Sequence, residues 1–164
     1  MDGAAQAVPI LRCRGSTAGR DADAGGKWNS VMTHNFNRKQ RLKYLEMTDR
    51  FGKAWLEIFQ DDTDFYSAAY WDLFINLWRA QAPVRKTDAM GFMKGVKSAH
   101  TAGKYVDTAI TKGLLIESDN PDDARSKLIE LTPDMRSRLD DYMNKAVNEV
   151  LIVQKEITSL GDVP

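Results

Sequence analysis

Between Arg38 and Phe59 the apolar residues Leu42, Leu45, Phe51, Trp55 and Ile58 return at steps of three or four, with one gap of six. That spacing places them on one side of a helix and predicts an amphipathic α-helix over the stretch. A second apolar line, Phe65, Ala69, Leu73 and Leu77, advances by four, with Tyr66, Tyr70, Phe74 and Trp78 beside it. The cluster Asp61, Asp62, Thr63, Asp64 ahead of it suits a helix start, where carboxylates meet unpaired backbone N–H groups. Pro83, which has no N–H to donate, closes this second, aromatic helix.

The next segments are short. Thr87 can cap a third helix with Met90, Phe92 and Met93 on its apolar side and a stop near Gly95. Ser98 can cap a fourth running to Lys112, with Tyr105, Val106, Ala109 and Ile110 facing inward and Gly113 as its stop. Two short helices so close together have the spacing of a helix-turn-helix. Gly103 sits inside the second of them, which means either a close backbone approach or simple tolerance, and tolerance is the favoured reading. Leu114, Leu115 and Ile116 then read as a strand, Glu117 to Ser126 as a polar tip around Asn120 and Pro121, and Leu128, Ile129 and Leu131 as the returning strand.

Thr132, Pro133 and Asp134 supply a cap, a proline for the first helical position and an acid for the first turn. Beyond them Met135, Leu139, Tyr142, Ala146, Val150, Val153, Ile157 and Leu160 recur at helical steps, and Met143, Val147 and Leu151 broaden the stripe. A helix of about 25 residues extends about 38 Å, longer than so small a domain covers by itself. Part of the stripe should therefore meet a partner chain.

Composition narrows the class. With 164 residues the chain suits one domain with a real core, expected over residues 31–164, behind a Gly-, Ala-, Asp- and Arg-rich stretch 1–30 that reads as a disordered tail. No stretch approaches the length and apolarity of a membrane span, and none in the tail makes a secretory signal, so the expected compartment is the cytoplasm and no membrane partner is expected. One cysteine, Cys13, and two histidines, His34 and His100, leave no internal disulfide and no zinc spacing, so neither metal nor cofactor is expected. No nucleophile–base pair or phosphate-gripping glycine loop stands out, so the chain is not read as an enzyme and has no catalytic residues.

Charge adds a second layer. The 23 basic and 23 acidic residues cancel, which excludes a uniformly basic coat. The cancellation is between blocks. Residues 81–115 hold six cations against two carboxylates, and residues 116–135 hold two cations against six carboxylates. The +4 block coincides with the helix-turn-helix, although a charge run by itself is ordinarily a solvated face.

The order of elements, together with two runs of local text, resembles the MarR family of winged helix-turn-helix transcriptional regulators. Thr101 to Leu115, TAGKYVDTAITKGLL, is similar to the family's recognition helix, with an opening Thr, a central Val-Asp and a closing Lys-Gly-Leu. Asp119 to Pro133, DNPDDARSKLIELTP, is similar to its wing, with Asp-x-Arg at Asp123 and Arg125 and Leu-Thr at Leu131 and Thr132. The two runs cover 30 residues, while the helical order spans Arg38 to Leu160. The resemblance implies a mainly α fold: a winged helix-turn-helix (about 84–113) with a small β-hairpin wing (about 114–131), flanked by N- and C-terminal dimerisation helices (about 38–59 and 133–160).

It also implies partners: double-stranded DNA bearing a pseudo-palindromic operator, a second copy of the chain, and a small aromatic ligand. The start of the recognition helix would face the major groove with Lys97, Ser98, His100, Thr101 and Lys104. Arg125 would enter the minor groove with Asp123 holding its guanidinium. Where family members commonly carry another Arg, this chain has Ala124, and Asp119, Asp122 and Asp123 make the tip acidic. The dimer would use Leu42, Leu45, Met143, Val147, Val150, Leu151 and Ile157, and an effector pocket would draw on Tyr70, Trp71, Phe74 and Trp78. Aromatics at helical spacing are more often a plain core. An oxidant-sensing cysteine is a poor fit, because Cys13 precedes the first helix by some distance. The function expected is a homodimeric DNA-binding regulator, a repressor released by a small molecule. The alternative is a winged-helix protein-interaction module without specific DNA binding.

Overall fold

The computed structural model describes residues 35–161. The tail expected over 1–30, with Cys13, and also His34 lie outside the described residues. Helix α1 (Arg38–Ile58) opens on a reciprocal cap: the Gln40 N–H donates to Asn37 Oδ1 at 3.0 Å, and the Asn37 N–H donates to Gln40 Oε1 at 2.9 Å. The helix turns Trp55 and Ile58 inward.

The chain then leaves the expected path. Gln60 and Asp61 both adopt left-handed backbone angles, φ 56° and 62°, which end α1 and keep the acidic cluster from opening the next helix. Asp62 instead caps a single 3-10 turn, Thr63–Phe65, accepting from the Asp64 N–H at 3.2 Å. The turn drives Phe65 into the core, stacked on Phe59 with ring centroids 4.7 Å apart. Helix α2 (Ala68–Ala80) starts at Ser67, whose Oγ accepts from the Tyr70 N–H at 3.3 Å.

A strand absent from the sequence reading follows. β1 (Val84–Arg85) is two residues long, too short to show alternation, and its pairing with β3 is a tertiary event. The chain passes directly from it into helix α3 (Lys86–Phe92), so Thr87 lies inside the helix rather than capping it. Helix α4 (Ala99–Thr111) does take Ser98 as its cap, with the Thr101 N–H 3.4 Å from Ser98 Oγ. It ends where Gly113 takes φ 70°, the Gly113 N–H donating to the Ile110 carbonyl and the Leu114 N–H to the Ala109 carbonyl.

Strands β2 (Leu115–Asp119) and β3 (Lys127–Leu131) pair antiparallel, Leu115 opposite Leu131 and Asp119 opposite Lys127, and the sheet order is β1-β3-β2. Pairing carries β2 past its apolar residues through Glu117, Ser118 and Asp119, which shortens the tip to 120–126. Helix α5 (Pro133–Ser159) starts from Thr132, whose Oγ1 accepts from the Met135 N–H at 3.2 Å. It runs antiparallel to α1. Gln40 donates to the Ile157 carbonyl at 3.0 Å near one end, and Arg138 donates to the Ile58 carbonyl at 2.9 Å near the other.

The core is shared by the end of α1 and the 3-10 turn after it, α2, α3, α4, the sheet and the start of α5. Leu73, Phe74, Val106, Ile129, Met135 and Leu139 are fully enclosed there. The result is a mainly α winged helix-turn-helix with a three-stranded antiparallel sheet and long N- and C-terminal helices. Among the described residues no helix is long and apolar enough to cross a membrane.

Candidate nucleic-acid interface and adjoining cavity

α4 is held by one face and presents the other. Ala102, Val106 and Ala109 are buried at the steps that make one helical side, while Lys97, Ser98, His100, Thr101 and Lys104 are exposed at and around its N-terminal end. Among the described residues Lys97, His100 and Lys104 form no ion pair. Ser98 is engaged as the cap. Unpaired backbone N–H groups and exposed cations at a helix N-terminus together suit an anionic partner. A Cβ at Gly103 would meet only the Met90 methyl at 4.0 Å, so no close backbone approach explains that glycine.

Other cations of the basic block are tied down. Lys86, at the start of α3, lies 2.8 Å from Asp107 on α4 and 2.6 Å from Glu117 on β2. Burial pulls its ammonium pKa down, but the hydrogen bonds to those two carboxylates outweigh burial and leave it above the ordinary value. Lys86 thus joins α4 to the hairpin. Lys112, just past the end of α4, reaches Asp62 at 2.9 Å, and that hydrogen bond lowers the Asp62 pKa. Lys127 pairs with Asp119 at the end of the hairpin.

The wing tip is built by Asn120, a buried polar side chain. Its amide donates to Ser126 Oγ at 2.7 Å, and its Oδ1 accepts from the Asp122 N–H at 3.0 Å. Asp123 departs from its expected role. Its Oδ1 accepts from the backbone N–H of Arg125 at 3.1 Å, shaping the turn, and makes no ion pair with the guanidinium. A carboxylate two residues before an N–H closes that ring more readily than it follows a flexible side chain. Arg125 is exposed and forms no ion pair among the described residues.

The four aromatics expected to line one pocket part company. Tyr70 and Phe74 are buried in the core, where they pack against Phe65 and each other. Trp78 hydrogen-bonds Asp140 at 2.7 Å. Trp71, about 100° around α2 from Tyr70, lines a cavity of about 400 Å³ with Thr48, Phe51, Gly52, Trp55, Tyr66, Ser67, Ala68 and Tyr142. A Cβ on residue 52 would stand 2.9 Å from Tyr66 Oη, so glycine there lets the phenol lie against α1. Burial raises the Tyr142 pKa, keeping its hydroxyl protonated. The sequence pattern marked Trp55 and Tyr142 only as apolar helix positions. Thr48 and Gly52 carried no signal at all.

Along the outer sides of α1 and α5, Leu42, Leu45, Val147, Val150 and Leu151 are exposed, while Met143 and Ile157 are half-buried.

No family model matches the chain, and no curated protein matches it. Among solved structures it is similar to a mutant of MepR from a multidrug-resistant S. aureus clinical isolate. The identity is 17%, the match covers 75% of this chain and 85% of that one, and the TM-score is 0.52. A mutant of MarR from E. coli complexed with operator DNA is 17% identical over 74% of this chain and 81% of that one, at a TM-score of 0.46. The likeness to MepR shows a shared fold, the MarR-type winged helix that the sequence resemblance implied.

Proposed function

We propose that this chain, which has the winged-helix fold of MepR, is a homodimeric, sequence-specific DNA-binding transcriptional regulator of the MarR family, a repressor released by a small aromatic effector. The observation that carries the reading is the exposed end of α4, where Lys97, His100, Thr101 and Lys104 stand free above a helix anchored by Ala102, Val106 and Ala109. In this reading those residues and Ser98 meet the major groove and its phosphates, and Arg125 on its rigid turn enters the minor groove. Residues 31–164 act as one domain with α1 and α5 as its dimerisation helices. Two copies joined through those helices place two recognition helices about 34 Å apart, one turn of duplex, which is what a pseudo-palindrome requires.

Effector control has a physical route. Trp55 lines the cavity and its indole N–H donates to the Phe65 carbonyl at 3.3 Å. The same 3-10 turn carries Asp62, which holds Lys112 at the end of α4. A ligand that shifts this turn shifts the recognition helix, so differential binding to the two positions changes operator affinity.

The ion-pairing of Lys86, Lys112 and Lys127 and the carboxylates of the tip favour a second reading, a winged-helix protein-interaction module. Gel shift with the intergenic DNA upstream of the protein's own gene separates the two. A regulator gives a retarded complex at low salt whose affinity falls steeply with added salt. For Arg125→Ala the log–log salt slope should drop by about one. An unchanged slope removes the wing from the interface, and no complex at any salt leaves the interaction module standing.

A further inference from the structure

The cavity beside Trp71 has a chemistry that selects among aromatic molecules. We propose that it takes an uncharged one- or two-ring aromatic compound in preference to an aromatic carboxylate or an aromatic cation. The inference rests on the effector-site reading above and deepens it.

Size comes first. About 400 Å³ lies toward the small end of ligand pockets, enough for one or two fused rings. Charge comes next. None of the nine lining residues carries one, and their polar side-chain atoms are hydroxyls and the two indole N–H groups of Trp55 and Trp71. The indole of Trp55 already donates to Phe65, and the Thr48 hydroxyl donates to the Leu45 carbonyl at 2.7 Å. Ser67 Oγ accepts from the Tyr70 N–H, which leaves its own proton available. A carboxylate entering this lining loses its hydration and meets no cation in return. A phenol or a neutral carbonyl needs only a hydroxyl partner.

Ring geometry argues against a cation. Quaternary and ammonium ligands are held where aromatic faces oppose one another across a gap. Here Trp55 and Tyr142 meet at 74° with centroids 5.6 Å apart, Trp71 and Tyr142 at 80°, and Trp55 and Trp71 at 57° with centroids 4.8 Å apart. Tyr142 meets both indoles edge to face and the two indoles are tilted to each other, as rings pack around another ring. Tyr66 and Trp71 nevertheless stay 61% and 41% exposed, so the apolar surface they offer is left open to a further aromatic.

Calorimetry on the full chain without DNA tests this with three molecules of one shape at pH 7: 2-naphthol, 2-naphthoate and protonated 2-naphthylmethylamine. The neutral compound should bind at least about tenfold more tightly than either ion. Trp71→Ala, at an exposed position that leaves the core intact, should weaken 2-naphthol by about tenfold. Ala68→Arg, which brings a cation to the lining, should turn the preference toward 2-naphthoate. Equal or tighter binding of the carboxylate or the amine to the unaltered protein overturns the proposal, as does the absence of heat with all three. Because no DNA is present, the result stands apart from operator release. A protein that binds 2-naphthol yet stays on its operator keeps the ligand class and loses the effector role.

Discussion

The first third of α5 and its second half both carry apolar residues at helical steps, and their surroundings differ: the inward side stays covered as far as Val153, 2% exposed, while the neighbouring side of the second half is open. Met135, Leu139 and Tyr142 are 0%, 0% and 5% exposed within the core, Tyr142 against Trp55 of α1 and Trp71 of α2. Val147, Val150 and Leu151 are 60%, 47% and 52% exposed, along a length where ion pairs tie the helix to α1. A helical period tells which residues share a side. It does not tell what covers that side. The covered third belongs to the fold of a single chain, and the exposed Val147, Val150 and Leu151 are what the proposed homodimer would cover.

The largest expected effect separates the two directly. Leu139→Ala should cost about 2–5 kcal/mol of unfolding free energy, the usual range for truncating an enclosed leucine, at every protein concentration. Val147→Glu with Leu151→Glu should leave the circular dichroism of the chain unchanged and convert the protein in sedimentation from two chains to one. Operator affinity should fall with it, because each binding event then uses one recognition helix. A wild-type protein that sediments as one chain, or a double variant that unfolds as Leu139→Ala does, would break the comparison.

A smaller effect tests how the covered third is anchored. Thr132 Oγ1 accepts from the Met135 N–H and donates to the Leu114 carbonyl at 3.3 Å, tying the start of α5 to the entry of the wing. Thr132→Ala should cost about 1 kcal/mol by denaturant titration, whereas Ser159→Ala at the far end should shift the midpoint by less. Equal costs would mean that the covered third gains nothing special from its cap.

What the sequence made legible follows the same line. Caps and stops act within a few residues, so Ser98, Gly113 and Thr132 could be read directly and the structure uses all three. Asp61 to Asp64 misled because an acidic cluster suits a 3-10 turn as well as a helix, and the left-handed Gln60 and Asp61 leave no composition signal. The aromatic set divided because Tyr70 and Phe74 share a helical side that Trp71 does not. The tie from Lys86 to Asp107 and Glu117 joins positions far apart in the chain, and no local pattern announces it. The cavity was the least legible, since Thr48 and Gly52 line it by lying opposite Tyr66 and Ser67, a matter of tertiary packing alone.

The smallest effect concerns how the uncovered half is held to α1. Along that length, beside the buried Val153 and the Gln40 bond to the Ile157 carbonyl, the ties are exposed ion pairs, Arg50 with Glu149 and Lys43 with Glu156 at 3.6 Å, and exposed pairs weaken as salt shortens the reach of charge. Amide hydrogen exchange should therefore quicken over residues 146–158 between 0.05 and 0.5 M salt, roughly one tenfold step that shortens the screening distance, and stay unchanged over residues 135–142. The pH dependence has a definite sign. The hydrogen bond to Glu46, with Glu156 adding its charge, raises the Lys43 pKa above 10.5. Its stabilising contribution is thus fully present below 10.5 and fades as pH rises through the higher folded-state value. Salt-quickened exchange confined to the outer half would mark it as held by charge within one chain, which leaves its apolar side free for the second. Equal quickening along all of α5 would mean that the two parts of the helix open as one unit and that the division drawn from burial has no counterpart in motion.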